Sequence, residues 1–156
     1  MAKSTPATLA LEKAGIAFTL HEYDYDPNAT RIGMQAAQSL GIEPERLLKT
    51  LMAKAGAEVV CVLAPSDREV SLKKLAAAAG AKNAAMLGAA EAERVTGYHV
   101  GGISPFGQKK QSRAFVEQSV MAFARVVVNG GRRGLQVELA PADLVRVLDA
   151  KAAEIC

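Results

Sequence analysis

The stretch LLKTLMAKAGAEVVCVLA, residues 47–64, sets the architecture. Its first half, Leu47 to Lys54, mixes apolar and polar side chains as a half-buried strand does. Ala55-Gly56 is a turn signal. Val59 to Ala64 is almost wholly apolar, the pattern of a strand covered on both faces. Two strands across so short a turn make a hairpin with one buried member. Around it, further elements follow from caps and breakers. Thr5-Pro6 starts a helix with partial apolar spacing at Leu9, Leu11 and Ala14, and Gly15 stops it. Ile16 to Tyr23 reads as a strand, bounded by the turn-rich segment 24–28. Thr30 can cap a helix over Arg31 to Leu40 that ends at Gly41.

Beyond the hairpin, Ser71 opens an alanine-rich helix that ends at Gly80, and a shorter helix covers Ala89 to Val95. Gly97 to Gly107 is irregular, punctuated by glycines and Pro105. Strand-like runs follow at Val120 to Phe123 and Arg125 to Val128. Asn129-Gly130-Gly131 is a tight turn, leading into an alternating strand, Leu135 to Leu139. Pro141 starts a final amphipathic helix with Leu144, Val147, Leu148 and Ala152 on one face. Strands cluster as hairpins rather than as regular βαβ units. The expected class is therefore α/β in the α+β sense: a mixed, largely antiparallel, curved sheet or barrel flanked by helices.

Composition bounds the rest. The 156 residues fit one domain, with no internal repeat, linker or boundary. Half the residues are apolar and 22% are charged, so a single core needs no disulfide or metal to hold it. Two cysteines, Cys61 and Cys156, make no disulfide framework, and with two distant histidines they make no zinc site. No metal and no cofactor is expected. A reducing, cytoplasmic setting fits, with no membrane span and no signal peptide. The net charge of +3 permits a nucleic-acid partner without requiring one, and the absence of tryptophan weighs against a stacking platform for single strands. Dinucleotide and P-loop signatures are absent.

No G-x-S-x-G, H-E-x-x-H or Ser–His–Asp set occurs. His21 and His99 read as structural or solvent-facing, and Cys61, inside an apolar strand, as an inert buried thiol. Three features carry chemistry instead. Lys49 in a half-buried strand either points to solvent or faces a cleft that repays its desolvation. The loop Gly101-Gly102-Ile103-Ser104-Pro105 is either a plain turn or a set of backbone N–H groups for a carbonyl or developing oxyanion. Finally, Arg132 and Arg133 after the 129–131 turn, with Lys109, Lys110 and Arg113 beyond the glycine-rich loop, are either solvated or positioned for phosphates.

Taken together, these blocks resemble the YbaK family, freestanding Cys-tRNA(Pro) and Cys-tRNA(Cys) deacylases related to the editing insertion domain of bacterial prolyl-tRNA synthetases. The resemblance runs through Tyr23, Asp26-Pro27, Leu48-Lys49-Thr50-Leu51, Leu72-Lys73-Lys74, Thr96-Gly97-Tyr98, Val100 to Pro105, Gly107-Gln108-Lys109-Lys110, Gly130-Gly131-x-Arg133-Gly134-Leu135 and Leu148 to Lys151. It implies one pocket for the 3′-terminal adenosine and its aminoacyl group. Lys49 matches the family's essential lysine, Tyr23 and Thr50 match pocket residues, and Gly101 to Pro105 matches its substrate loop. Ile32, Asn129 and Gln136 stand where some members have phenylalanine, serine and aspartate. They bear on which amino acid is preferred.

The resemblance implies a trans-editing hydrolase acting on mischarged Cys-tRNA(Pro). The substrate's own thiol would attack the ester, so the missing protein nucleophile is expected. Lys49 would hold the terminal nucleotide, with Gly101 and Gly102 supplying amides at the reacting carbonyl. Tyr23, Ile32, Thr50, Ile103, Ser104, Pro105, Asn129 and Gly130 would shape the substrate site. Lys109, Lys110, Arg113, Arg132 and Arg133 would contact tRNA. Prolyl-tRNA synthetase is an expected partner in a ternary complex. Two alternatives stand beside this: an Ala-tRNA(Pro) deacylase of the same fold that uses water, and a tRNA- or synthetase-binding module without turnover.

Overall fold

A computed structural model of the chain describes residues 4–28 and 32–156, with residues 32 and 33 described by backbone alone. The cap assigned to Thr30, the helix start at Arg31 and the side chain of Ile32 lie outside the described residues. Helix α1, Pro6–Lys13, begins as its sequence dictates. The Thr5 hydroxyl accepts the Thr8 N–H, Thr8 returns a bond to the Thr5 N–H, and Pro6 occupies the first helical turn. Strand β1 is Thr19–Glu22, shorter at both ends than the expected Ile16 to Tyr23, and helix α2 is Ile32–Leu40.

The hairpin stands as read. β2, Leu48–Ala55, pairs antiparallel with β3, Glu58–Pro65, from Leu48–Pro65 to Ala55–Glu58. Gly56, at φ +62°, makes the turn. Alternation along both strands sorts two cores. Leu48, Met52, Cys61 and Leu63 face the larger one, and Ala53, Ala55, Val60 and Val62 face a second one under helix α3, Leu72–Ala79. Ser71 caps that helix and Gly80, left-handed, ends it.

The remaining elements are β4 (Ala84–Met86), α4 (Ala89–Thr96), β5 (Arg113–Glu117), β6 (Val126–Asn129), β7 (Leu135–Leu139), α5 (Pro141–Leu148) and β8 (Lys151–Ala153). They form a five-stranded sheet of order β4-β2-β3-β5-β8 and a three-stranded sheet of order β1-β7-β6. Four of the six pairings are antiparallel, and β3–β5 and β5–β8 are parallel. This is the expected mixed, largely antiparallel α+β class.

Two expectations are corrected, and one strand had not been read. Val120 to Phe123 is not a strand: a 3₁₀ turn spans Gln118–Ala122, because the Glu117 carboxylate caps the Ser119 N–H and Phe123 N–H closes back on the Val120 carbonyl. Helix α5 stops at Leu148 with Asp149 at φ 49°, so Ala152 belongs to β8 and not to the helix face. The segment holding Arg113 is the start of β5, a strand whose Ala114, Phe115 and Val116 are fully buried.

One topological detail positions the site. The outer edge of β2 is covered by β4 only at Ala53 to Ala55, and the Met52 carbonyl accepts Leu87 N–H at 3.0 Å. At its other end Leu47 bridges Val127 of β6. Between these ties, residues 48 to 51 have no strand partner on that side among the described residues. The gap between the two sheets opens there.

Candidate active site

A cavity of about 470 Å³ fills the gap. Its floor is the unpaired edge of β2, which is why consecutive residues from Leu47 to Met52, and not alternate ones, all line it. Tyr23 and Tyr25 close it from the segment after β1, Gly101 and Ile103 from the glycine-rich loop, and Asn129 and Gln136 from β6 and β7.

Lys49 is the only basic side chain on this wall among the described residues. Its side chain is 23% exposed, and its one ion pair is a loose 4.0 Å contact to Glu69, which is itself 97% exposed. Such a pair contributes little, so the ammonium is free for an anionic or polar ligand. Beside it the Thr50 hydroxyl is buried with no hydrogen-bond partner. Burial raises the Tyr23 phenol above its ordinary pKa; the Gln136 amide pulls it down and Tyr25 adds to the rise. Tyr23 is therefore neutral and able to donate or accept.

The glycine-rich loop is built against the 129–134 turn. Asn129 Nδ2 donates to the carbonyls of Gly101 and Arg132, both at 3.3 Å, and its Oδ1 accepts Gly131 N–H at 2.7 Å. All of its polar capacity joins loop to turn, which makes it a positioning residue. Gly101 sits at φ +91°, and a Cβ there would stand 2.8 Å from the Tyr25 hydroxyl oxygen. A Cβ on Gly102 would press on Arg133 N at 2.7 Å. The Gly102 N–H already bonds the His99 carbonyl at 2.8 Å, and of the loop's residues it is Gly101 and Ile103 that line the cavity.

Ser104, Pro105 and Gly130 stand behind the wall. Ser104 is fully buried, its hydroxyl accepting Phe106 N–H and its carbonyl accepting Gln108 Nε2 at 3.0 Å. The Pro105 carbonyl accepts Gln111 Nε2, and the Gly130 carbonyl accepts the Thr5 hydroxyl at 2.6 Å. These bonds fix the loop and do not offer groups to a ligand.

The basic residues separate into three sets. Arg133 Nε donates to the Val100 carbonyl at 2.9 Å with its guanidinium 5.3 Å from the Tyr25 ring centre, and Arg132 pairs with Glu22 at 3.0 Å. Both brace the rim. Lys109 and Lys110 are exposed, next to α4. Arg113 is tied to Glu58 and the Ala79 carbonyl and lies over the Phe115 ring, with no place on the cavity wall.

Sequence reasoning passed over Tyr25, because a tyrosine in a turn-rich segment carries no periodic signal. Groups often used for attack or proton transfer stand elsewhere. His21 bonds Glu138 at 2.8 Å, and His99, 87% exposed, lies 3.7 Å from Glu93. Burial pushes the Cys61 thiol up to about 12, despite a contact from Gln108 that lowers it. No histidine, cysteine, aspartate or glutamate lines the cavity among the described residues. The arrangement can orient and desolvate an ester and polarise its carbonyl through backbone amides.

Residues 26–147 match the family described as an aminoacyl-tRNA editing domain. The chain belongs to that family. Within it, the chain is 38% identical over 138 residues to the Enterococcus faecalis protein named "Putative Cys-tRNA(Pro)/Cys-tRNA(Cys) deacylase EbsC", covering 86% of this chain and 83% of that one. It is 31% identical over 99 residues to the proline–tRNA ligase of Desulforamulus reducens, covering 64% of this chain and 17% of the ligase. A solved structure titled as a "putative trans-editing enzyme for prolyl tRNA synthetase" has the same fold, with TM-score 0.84, 23% identity and 99% of this chain covered against 98% of that one. Among the described residues no helix is long and apolar enough to cross a membrane.

Proposed function

We propose that this chain deacylates mischarged Cys-tRNA(Pro) in trans, using the thiol of the substrate. The observation that carries the reading is a largely apolar cavity beside Lys49 whose wall, among the described residues, holds no histidine, cysteine or carboxylate to serve as nucleophile or general base. A substrate that brings its own nucleophile needs neither. The cysteinyl sulfur attacks the ester carbonyl, an S–C bond forms, and the C–O bond to the ribose breaks. The thiol proton goes to the leaving ribose oxygen, releasing tRNA and a cyclic thiolactone that water then opens.

The protein contributes orientation, worth several kcal/mol of barrier and up to about 7–11 in well-aligned intramolecular cases. The amides of Gly101 and Ile103 stabilise the developing oxyanion, each good donor being worth about 3 kcal/mol. Lys49 holds the phosphate or ribose region of the terminal nucleotide. Lys109, Lys110, Arg132 and Arg133 face the body of the tRNA, and prolyl-tRNA synthetase supplies tRNA identity in a ternary complex. The relatedness to proline–tRNA ligases supports that partner.

A time course with Cys-, Ala- and Pro-charged tRNA(Pro) tests the reading. Rapid loss of the cysteinyl ester with survival of the other two is expected. Equal persistence of all three, as in buffer, overturns it, and loss of the alanyl ester at the cysteinyl rate transfers the nucleophile to water.

A further inference from the structure

The two arginines after the 129–131 turn are held differently. Arg132 is neutralised by Glu22 at 3.0 Å, whereas Arg133 is pinned without a counter-ion. Arg133 Nε donates to the Val100 carbonyl at 2.9 Å and stands 3.2 Å from the place of a Cβ on Gly101, and the guanidinium lies 5.3 Å from the Tyr25 ring centre. Val100, Gly101 and Tyr25 all line the cavity, while Arg133 itself is exposed, so the guanidinium stands at the outer edge of the mouth. The bond to Val100 is the only hydrogen bond that its side chain makes to a described residue, and no carboxylate among them comes within 4.0 Å of it. The Glu93 carboxylate, which also reaches Val100, is taken by the Val100 N–H at 2.8 Å.

A guanidinium fixed by one N–H on a carbonyl and by an aromatic ring has little freedom left to lose on binding. Its two Nη groups remain as donors on a planar fork that matches a carboxylate or a phosphate. The substrate of the reading above carries no carboxylate, because that of the amino acid is consumed in the ester. Its anions are phosphodiesters, and the first of them joins the esterified nucleoside to the nucleotide before it. We propose that the Nη groups of Arg133 bind this phosphodiester at the mouth, while Lys49 inside the cavity takes the ribose side. The substrate class follows: an esterified chain of at least two nucleotides, since an aminoacyl nucleoside lacks the group that Arg133 binds. Through Val100 the same residue braces the glycine-rich loop. This rests on the deacylase reading above and names a recognition element of that same site.

The test compares the cysteinyl ester of adenosine, which has no phosphate, with that of the dinucleotide cytidylyl-adenosine, which has one phosphodiester. Both are measured above their rates in buffer, alongside Cys-tRNA(Pro), on the intact chain and on Arg133→Met and Arg133→Lys. For the unchanged protein the dinucleotide ester is expected to show a kcat/KM higher by roughly 10- to 100-fold, the range for charge-assisted hydrogen bonds, and chiefly through KM. Arg133→Met should bring the ratio of the two esters close to one, and Arg133→Lys should restore part of it. A residue that only braced the loop would slow both esters alike and leave the ratio as it was. The ratio on one preparation does not depend on its folded fraction. Equal kcat/KM for the two esters on the unchanged protein, or an unaltered ratio in Arg133→Met, overturns this inference while leaving the deacylase reading in place. Cleavage of none of the three substrates overturns both.

Discussion

Lys49 concentrates the electrostatics of the site in one side chain. It sits in a wall of leucines, its only ion pair among the described residues is long and solvent-facing, and in the proposed reading its partner is a ligand phosphate or ribose. Lys49→Ala is expected to reduce kcat/KM for Cys-tRNA(Pro) by roughly 10- to 100-fold, the range for a charge-assisted hydrogen bond. Lys49→Arg should recover part of it. Steady-state kinetics checks this, and full-rate turnover by the alanine variant contradicts the assigned role. Much of the site was legible at this scale. Tyr23, Lys49, Thr50, Gly101, Ile103 and Asn129, all named from the sequence, converge on one cavity. The division of labour was not legible. That the Gly102 amide closes a turn on the His99 carbonyl, and that the Ser104 hydroxyl turns inward to take the Phe106 N–H, depends on the exact conformation of the loop, which residue types alone do not fix.

At the scale of elements, the glycine-rich loop is held by contact with the 132–133 backbone. Gly102→Ala places a Cβ against Arg133 N and the Arg132 backbone, which cannot swing aside as a side-chain tip can. We expect a loss of about 1–3 kcal/mol in urea unfolding, typical of overpacking, together with reduced deacylation. The segment after β8 is tied down by one carboxylate. Burial raises the Glu117 pKa, but bonds from the Ile155, Ser119 and Cys156 amides outweigh it and hold the group below its ordinary value. A depressed carboxylate stabilises the fold fully above the unfolded value, about 4.3, and loses that contribution as pH falls through the folded one. Wild-type protein should therefore lose urea resistance on acidification, and Glu117→Gln should be weaker at neutral pH and less pH-sensitive. Parallel pH series of unfolding midpoints decide it. Caps and turns made α1, α3 and the β2–β3 hairpin readable. β5 was missed because a five-residue apolar core strand has no periodicity, and β4 and β8 because three residues leave no pattern.

At the scale of the whole molecule, Lys49 is the one basic residue on the cavity wall among the described residues, and other cations such as Arg113 are held away from it. Lys109 and Lys110 are the exposed cations nearest the glycine-rich loop in sequence, whereas Arg132 and Arg133 also brace the rim. Removing both lysines should weaken tRNA binding evenly across tRNAs. It should also lessen the slope of log Kd against log salt by up to about 1 per lysine in phosphate contact. An unchanged slope moves the RNA path elsewhere. The two-sheet arrangement, with β2 left open between Leu47 and Met52, could not be foreseen from local pattern, since it depends on where β4 stops and β6 begins. In the proposed reading that opening seats the ester beside Lys49 and the glycine-rich loop and leaves attack to the substrate. The direct test is the single-turnover rate of Cys-tRNA(Pro) against Ser-tRNA(Pro), which differ by sulfur for oxygen. A much faster cysteinyl rate, with similar Kd for the two, is the predicted result; equal rates would contradict the account.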